Sequence, residues 1–325
     1  MQLQTETEIK PFAEKISHAD KILMLGSCFT NSIGERLQHA KFDVYINPFG
    51  VIYNPFSITN SIQLLIANTK ITESDLLQNN GLYYNFDYHT SFSAITKQSA
   101  LDKMNEANQQ GSEFLKKATH IIITFGSAIS YKYKKHNKIV ANCHKIPACE
   151  FEKINLKIDN IVETVNTAIK NIRNINNDIN FIFTVSPVRH LGDGTHENQL
   201  SKSRLLIATD EICRSNSRCQ YFPAYEIMMD ELRDYRFYAD DMLHPSNLAI
   251  NYIWTKFSVA AINAESLKII NEIKKILAAK SHKVFNPDSD EHRKFLKACF
   301  EKTVQLQTKY PFLNLTEELE YFSSS

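Results

Sequence analysis

The sequence predicts an α/β protein in which one parallel sheet of five strands lies between two layers of helices. Short apolar runs alternate along the chain with segments whose apolar residues recur at helical spacing. Several of these runs end in glycine or a small polar residue, as strands do where they turn into a helix. Because alternating strands and helices form a parallel sheet covered on both faces, a three-layer α/β/α sandwich is expected.

The first predicted strand and helix form a sharp turn. Residues 22–25 are four consecutive apolar residues followed by Gly26, a pattern typical of a short buried strand. Apolar residues at spacings of four and three then mark one face of a helix. Ser32 and Glu35 have the spacing of a capping box, which predicts that this helix begins near residue 32.

The other elements follow in the same alternation. Four further strands are predicted at residues 42–47, 120–127, 180–187 and 220–227. Helices are predicted at residues 57–68, 101–118, 158–172 and 201–214, with another beginning after residues 240–246. Pro223 in the last strand suggests an edge position, where a missing N–H group costs least.

Three segments lie outside this alternation. Residues 71–100 are irregular and rich in aromatic residues, and they are too long for an ordinary connection, so we expect an insertion that covers the site as a lid. Residues 131–150 form a basic loop or hairpin. We predict one main domain over residues 1–260 and a helical extension, residues 261–325, packed on it.

The composition excludes several functional classes. The 325 residues have a formal net charge of +1, so the charge implies no nucleic-acid partner. No apolar run is long enough to span a bilayer, and the polar first residues lack the apolar core of a signal peptide, which predicts a cytoplasmic protein without a membrane partner. The six scattered cysteines are expected to be free thiols.

The residues at the carboxyl ends of the predicted strands are the candidates for chemistry, because sites in open α/β sheets lie there. The candidates are Ser27, Cys28, Gly50, Gly126, Ser127, Arg189, His190, Asp241 and His244. A nucleophile needs a base, and the base needs an orienting group. Asp241 and His244 supply both in one short segment, with the carboxylate within reach of the near ring nitrogen and the far nitrogen free for the nucleophile.

The motifs at these positions resemble those of the GSCFA family, a branch of the SGNH (GDSL-type) hydrolases. The matching segments lie at residues 21–31, 47–50, 53–55, 140–145, 186–190, 197–199 and 235–246. The resemblance covers about residues 20 to 255. It implies a flavodoxin-like fold and hydrolysis of an ester bond by a triad of nucleophile, His244 and Asp241.

The resemblance does not decide which of two residues, Ser27 or Cys28, is the nucleophile. The superfamily motif is Gly-Asp-Ser-Leu, and an ungapped match places Cys28 on the nucleophilic serine and Ser27 on the aspartate. A shift of one residue restores Ser27 as the nucleophile. Cys28 has the more reactive side chain, whereas Ser27 agrees with the serine chemistry of the superfamily.

The oxyanion hole that the resemblance implies is incomplete. Gly50 matches the glycine that supplies a backbone N–H group, but the third strand ends in Gly126-Ser127-Ala128 where the family pattern has an asparagine. Asn142 or His144 could replace the missing amide. Cys143, His144 and Cys149 match no common zinc spacing, so no metal site is predicted.

Arg189 and His190 follow the fourth strand, where they could bind a carboxylate or hydroxyl of the substrate. The alternative is that a nearby carboxylate, Asp193 or Glu197, holds the Arg189 side chain.

The sequence therefore predicts an esterase that acts on a small ester, an acylated carbohydrate included, without metal or organic cofactor. Two alternatives use the same pocket, a non-catalytic ligand-binding protein and an acyltransferase. A homo-oligomer is also compatible with the sequence.

Overall fold

A computed structural model describes residues 5–283, 286–287 and 289–323. In this part of the chain the strands are β1 (Lys21–Gly26), β2 (Asp43–Ile46), β3 (Leu77–Asn79), β4 (Leu82–Tyr84), β5 (His120–Phe125), β6 (Ile129–Tyr133), β7 (Lys138–Val140), β8 (Phe151–Asn155), β9 (Asn180–Val185) and β10 (Cys219–Phe222). The helices are α1 (Cys28–His39), α2 (Pro55–Ala67), α3 (Lys97–Lys117), α4 (Ile158–Arg173), α5 (Thr195–Ser215), the single turn α6 (Ala224–Glu226), α7 (Asn247–Ala261), α8 (Ala264–Lys280), α9 (Asp290–Lys309) and α10 (Thr316–Ser323).

Five of the strands form one parallel sheet in the order β10–β9–β5–β1–β2. Numbered by their sequence within this sheet, the strands follow the 2-1-3-4-5 order of flavodoxin-like folds. The predicted fold class is confirmed. The strand order reverses between β1 and β5, and ligands in such folds bind at the carboxyl ends of the strands at this point.

The two faces of the sheet bury different side chains, because successive residues of a strand point to opposite sides. Leu23, Ile123 and Phe183 belong to the larger core, which α2, α3, α4 and α5 cover. The neighbouring residues Ile22 and Ile122 belong to the core on the other face, under α1 and α7. This alternation explains why the central strands are apolar throughout.

A second, antiparallel sheet extends from the main one in the order β7–β6–β8. The hairpin expected within residues 131–150 is present as β6 and β7, whereas β8 was not expected. Residues 71–100 are not wholly irregular, since β3 and β4 form a hairpin there. Tyr84 and Phe86 from this region pack against Val140 and Phe151, so the insertion and the small sheet share one hydrophobic cluster.

Several predicted boundaries are wrong: α3 begins at Lys97 and not at residue 101, α5 begins at Thr195 and not at residue 201, and two others concern α1 and β10. Helix α1 begins at Cys28 rather than near residue 32, so the proposed capping box of Ser32 and Glu35 lies inside the helix. The chain enters this helix directly from the turn after β1, and the side chain of the N-cap residue, Ser27, makes no cap hydrogen bond. The edge position of β10 is confirmed, but the strand ends at Phe222, before Pro223.

The helices α8, α9 and α10 have a hydrophobic cluster of their own, which includes Ile273, Leu296 and Phe322. They are joined to the α/β unit by the buried Glu318 carboxylate, which accepts hydrogen bonds from the Lys41 ammonium at 2.9 Å. The boundary predicted at residue 260 stays a prediction. Among the described residues, no helix has the length and apolar character needed to cross a bilayer.

Candidate active site

The turn after β1 brings Cys28 to the carboxyl edge of the sheet. Gly26 has a φ of +139°, and a Cβ atom at this position would lie 2.2 Å from the Thr124 carbonyl oxygen, so only glycine fits. The Gly26 N–H group donates to Asn47 Oδ1 at 2.8 Å, which holds the loop after β2 against the turn. Ser27 then precedes the first helical residue, Cys28.

Ser27 and Cys28 have different surroundings. The Ser27 side chain is buried, and its Oγ has no hydrogen-bond partner among the described residues. Cys28 is half-buried at the N-terminus of α1, where free N–H groups favour a thiolate. Burial raises the pKa of the Cys28 thiol, whereas the N–H groups of Phe29 and Cys28 and the charge of Lys202 act to lower it.

Both residues line a cavity of about 330 Å³ at the carboxyl ends of β1, β5 and β9. The turn before α1, the loop before α2 and the end of β5 form one part of its wall. The β6–β7 hairpin, the end of β9 and the loop before α7 form the rest. The cavity therefore lies at the switch point of the sheet, where the strand order predicts a ligand site.

The loop before α7 contributes His244, and Asp241 orients it. His244 Nδ1 and Asp241 Oδ2 are 2.6 Å apart. Asp241 Oδ1 accepts the N–H groups of Leu243 and His244 at 2.9 and 3.0 Å. These hydrogen bonds lower the pKa of Asp241 to about 2. The His244 N–H group makes the largest contribution, followed by the Leu243 N–H group and the His244 ring. Because Nδ1 is bonded to Asp241, Nε2 of His244 remains available to a group in the cavity.

Backbone contacts hold this turn in place. The Ala239 N–H group donates to the His244 carbonyl at 2.8 Å, and Met242 adopts the left-handed conformation with a φ of +59°. The Arg189 N–H group donates to the Leu243 carbonyl at 3.0 Å, which ties the turn to the end of β9. His244 lines the same cavity as Ser27 and Cys28, so the turns before α1 and before α7 face each other across it.

Lys202 is a residue of the site that sequence reasoning missed. It is only 1% exposed, and its Nζ donates to the carbonyls of Gly126 and Ser186, each at 2.7 Å. No carboxylate of the described residues pairs with it. Burial lowers its pKa to about 7, and the Cys28 thiolate acts in the opposite direction. Lys202 therefore lies against the ends of β5 and β9, at the edge of the sheet that also carries Cys28.

A sequence feature could have identified Lys202. It precedes Leu205 by three residues, and Leu205, Ala208 and Ile212 mark the buried face of α5. A lysine on the apolar stripe of a helix is unusual, because a buried ammonium needs hydrogen-bond acceptors that compensate for lost water.

The structure contradicts the predicted role of Gly50. Its N–H group donates to the Asn47 carbonyl at 2.7 Å within a turn, so it is not free for an oxyanion. Gly50 is needed for packing instead, because its φ is +75° and a Cβ atom there would lie 2.4 Å from Cβ of His89. Gly50 is also not among the residues that line the cavity.

The end of β5 supplies no free amide either. The N–H groups of Gly126 and Ser127 both donate to the Tyr53 carbonyl, at 2.8 and 3.1 Å. Asn142 lines the cavity, and its Oδ1 accepts the His144 N–H group at 2.8 Å. Its Nδ2 has no hydrogen-bond partner among the described residues, so Asn142 has the donor that the third strand lacks.

His144 lies outside the cavity, contrary to its expected role at the oxyanion. Its Nε2 is 3.0 Å from the carbonyls of both Asn85 and Tyr88, and its ring stacks on Tyr84 at 4.4 Å. Burial lowers the pKa of His144 to about 4. The ring thus joins the β6–β7 side of the molecule to the insertion.

The expected lid is also in a different place. No residue of 71–100 lines the cavity, whereas Ile129, Tyr131 and Val140 of the β6–β7 hairpin do. The insertion supports this hairpin from behind, for example where the Ala141 N–H group donates to the Phe86 carbonyl at 2.9 Å.

Arg189 and His190 both line the cavity. The suggested carboxylate partners do not hold Arg189, because Asp193 pairs with Lys153 at 2.6 Å and no ion pair joins Glu197 to Arg189 in the described part of the chain. The Arg189 guanidinium lies over the Tyr238 ring at 5.5 Å. Its Nη1 donates to the neutral Met242 carbonyl at 3.4 Å, so the positive charge has no carboxylate partner among the described residues.

Comparison with known families identifies the chain. The GSCFA family model matches residues 21–257, which is most of the sequence. The chain belongs to the GSCFA family. A second model, the C-terminal domain of GSCFA domain proteins, matches residues 273–325. A search of curated proteins finds no match.

Two solved structures are similar to this GSCFA protein over most of its length. A family 3 carbohydrate esterase from Talaromyces cellulolyticus is 9% identical, with 79% of this chain and 99% of that chain covered and a TM-score of 0.35. A family 3 carbohydrate esterase from Clostridium thermocellum is 10% identical, with coverages of 78% and 97% and a TM-score of 0.32. These values are too low to support an argument about function.

Proposed function

We propose that this GSCFA protein is an SGNH-like hydrolase that cleaves ester bonds with a triad of Cys28, His244 and Asp241. The observation that carries the proposal is the common cavity. A thiol at a helix N-terminus and an imidazole bonded to a carboxylate line the same space at the switch point of the sheet. A pure binding protein has no need for a base with its own orienting carboxylate.

The choice of Cys28 over Ser27 rests on accessibility and charge. Ser27 Oγ is buried without a hydrogen-bond partner among the described residues. Cys28 is half-buried, and the Lys202 charge and the helix N-terminus both favour its thiolate. Cysteine is also the better nucleophile at neutral pH.

In the first half of the reaction, the Cys28 thiol gives its proton to Nε2 of His244, and Sγ attacks the acyl carbon. The carbonyl oxygen becomes an oxyanion, which accepts hydrogen bonds from the Cys28 N–H group and Nδ2 of Asn142. The bond to the alcohol then breaks, and His244 protonates the leaving oxygen. The product of this half-reaction is a thioester on Cys28.

In the second half, a water molecule gives a proton to His244 and attacks the thioester carbon. The C–S bond breaks, the acid is released, and the proton returns to Sγ. Asp241 keeps the imidazole oriented throughout and stabilises the imidazolium. The chemistry requires no metal or organic cofactor.

The experiment is hydrolysis of an aryl acetate by the wild type and by Ser27→Ala, Cys28→Ala and His244→Ala. Loss of Cys28 or His244 is expected to reduce kcat/KM by at least about a thousandfold, because triad members act as a unit. Ser27→Ala is the matched control and is expected to stay within about threefold of the wild type, since one buried hydroxyl without a partner is removed.

Mass spectrometry of quenched reactions adds a readout of the intermediate. An acetyl group on Cys28 that accumulates with the wild type and is absent in Cys28→Ala would support the thioester. Activity lost in Ser27→Ala but kept in Cys28→Ala would reject Cys28 as nucleophile, and activity kept in His244→Ala would reject the triad. Transfer of the acyl group to an added alcohol in preference to water would identify an acyltransferase.

A further inference from the structure

A second cavity of about 260 Å³ adjoins the candidate active site, and Arg189 lines both. The second cavity lies between the start of α5 and the segment from α6 to residue 238. Its wall contains another arginine, Arg233, and three tyrosines, Tyr225, Tyr235 and Tyr238. The proposed triad makes no use of this space.

The charges in this cavity are largely uncompensated. Within the described residues, no carboxylate forms an ion pair with Arg189 or Arg233. The only carboxylate in the wall belongs to Asp234, which is bonded at 2.9 Å to both the side chain and the backbone N–H group of Arg236. Two guanidinium groups therefore face one small cavity, and guanidinium groups bind planar carboxylates through paired hydrogen bonds.

The neutral polar groups around the arginines are already held in place. Tyr225 Oη donates to Gln199 Oε1 at 2.7 Å, which directs the amide nitrogen of Gln199 away from the tyrosine. Asn198 Oδ1 accepts the His190 N–H group at 2.9 Å, so the segment that carries Arg189 is fixed to α5. A ligand would meet a site whose shape is set before it binds, which lowers the entropic cost of binding.

The position of this cavity relative to His244 indicates which part of a substrate it meets. Arg189 is bonded through its N–H group to Leu243, next to His244. In the proposed reaction His244 protonates the leaving alcohol. The space beyond Arg189 is therefore next to the alcohol portion of a bound substrate. We propose that this cavity binds a carboxylate on the alcohol portion of the substrate, as in an O-acylated uronic acid. This inference rests on the proposed esterase function.

The test compares two substrates that differ only in the carboxylate, the O-acetylated methyl glycosides of galacturonic acid and of galactose. Wild-type kcat/KM is expected to be at least about tenfold higher for the acidic substrate, which corresponds to about 1.4 kcal/mol. Arg233→Gln is expected to bring this ratio close to one. Arg214→Gln, an exposed arginine of α5 outside both cavities, is the matched control and is expected to keep the ratio.

Calorimetric titration with methyl galacturonoside and methyl galactoside separates failure of this inference from failure of the proposed function. Hydrolysis of both substrates at equal rates would overturn the carboxylate site and leave the esterase standing. If the wild type binds the uronoside, Arg233→Gln weakens that binding and neither substrate is hydrolysed, the result would support the carboxylate site and reject the esterase function. If the protein neither hydrolyses the substrates nor binds the uronoside, both the carboxylate site and the esterase function are overturned.

Discussion

The turn before α1 and the turn before α7 contribute the proposed nucleophile and base, yet they are built differently. Cys28 is the first residue of α1, just after the buried strand β1, and the fully buried Lys202 is bonded to the ends of two other strands. The Asp241 and His244 side chains are 46% and 48% exposed and are oriented by bonds within their own turn. The nucleophile therefore depends on long-range packing, whereas the base depends on a local motif.

Among the variants that test this difference between the two turns, Asp241→Asn is expected to have the largest effect on activity. The amide keeps the size of the side chain but cannot hold the His244 ring with the same charge, so we expect kcat to fall about 10⁴-fold, as in other triads. Steady-state hydrolysis of the aryl acetate measures the effect, and circular dichroism checks that the fold is kept. A loss of less than about tenfold would mean that Asp241 is not the orienting group of the triad.

Because the pKa of Asp241 is low, the difference in stability between the wild type and Asp241→Asn should depend on pH. Because the folded-state pKa is about 2, below the ordinary value of 3.8, the carboxylate stabilises its turn above pH 3.8, and this stabilisation is lost as the pH falls towards 2. The difference in melting temperature between wild type and Asp241→Asn should therefore be constant near neutral pH and shrink below pH 3.8. A difference that shrinks already near neutral pH would contradict this assignment.

An intermediate effect is expected for Lys202→Met, which removes the charge near Cys28. Loss of a nearby positive charge should raise the pKa of the Cys28 thiol, with a lower alkylation rate at neutral pH. The measurement is the pH dependence of Cys28 alkylation by iodoacetamide, with the modified residue identified by mass spectrometry.

Two controls separate this electrostatic role of Lys202 from a structural one. Lys170→Met, an exposed lysine of α4, should leave the alkylation profile unchanged. Lys202→Arg keeps the charge and should keep the wild-type midpoint even if melting temperature drops. If Lys202→Met lowers stability but leaves the alkylation midpoint in place, the lysine serves only to bond the carbonyls of Gly126 and Ser186.

The smallest effect is expected for Met242→Asn in the turn of the base. Met242 has a φ of +59°, and asparagine tolerates this left-handed conformation better, so the variant should gain up to about 1 kcal/mol of unfolding free energy. Because the turn is fixed by backbone groups and Asp241, kcat should stay within about twofold of the wild type. Denaturant unfolding and steady-state kinetics test both expectations. A tenfold loss of kcat would show that the methionine side chain contributes to the site.

Some features of the fold and site were accessible from the sequence because they depend on neighbouring residues. The apolar run before Gly26 predicts β1, and the spacing of Asp241 and His244 predicts their hydrogen bond. The order of the sheet followed from a family resemblance. For β1 and for the Asp241–His244 pair, the determining contacts lie within a strand or a short motif, so a short pattern of residue types is sufficient.

The use of individual backbone amides was not predictable in this way. The Gly50 N–H group is bonded inside its own turn, and those of Gly126 and Ser127 are bonded to Tyr53. Which N–H group stays free depends on how loops pack after folding, and the residue type at the position carries no information about it. The same reason applies to His144, whose two backbone acceptors come from the insertion.

The sequence by itself determined the fold class, the turn at Gly26 and the Asp241–His244 pair, because each depends on short-range patterns of burial and hydrogen bonding. The tertiary structure alone decided which side chains surround Cys28. Lys202 meets the Gly126 carbonyl across 76 residues of sequence, and the wall of the cavity comes from the β6–β7 hairpin instead of the insertion. Contacts between distant segments depend on how the helices and strands pack, so the spacing of residues within a short segment cannot predict them.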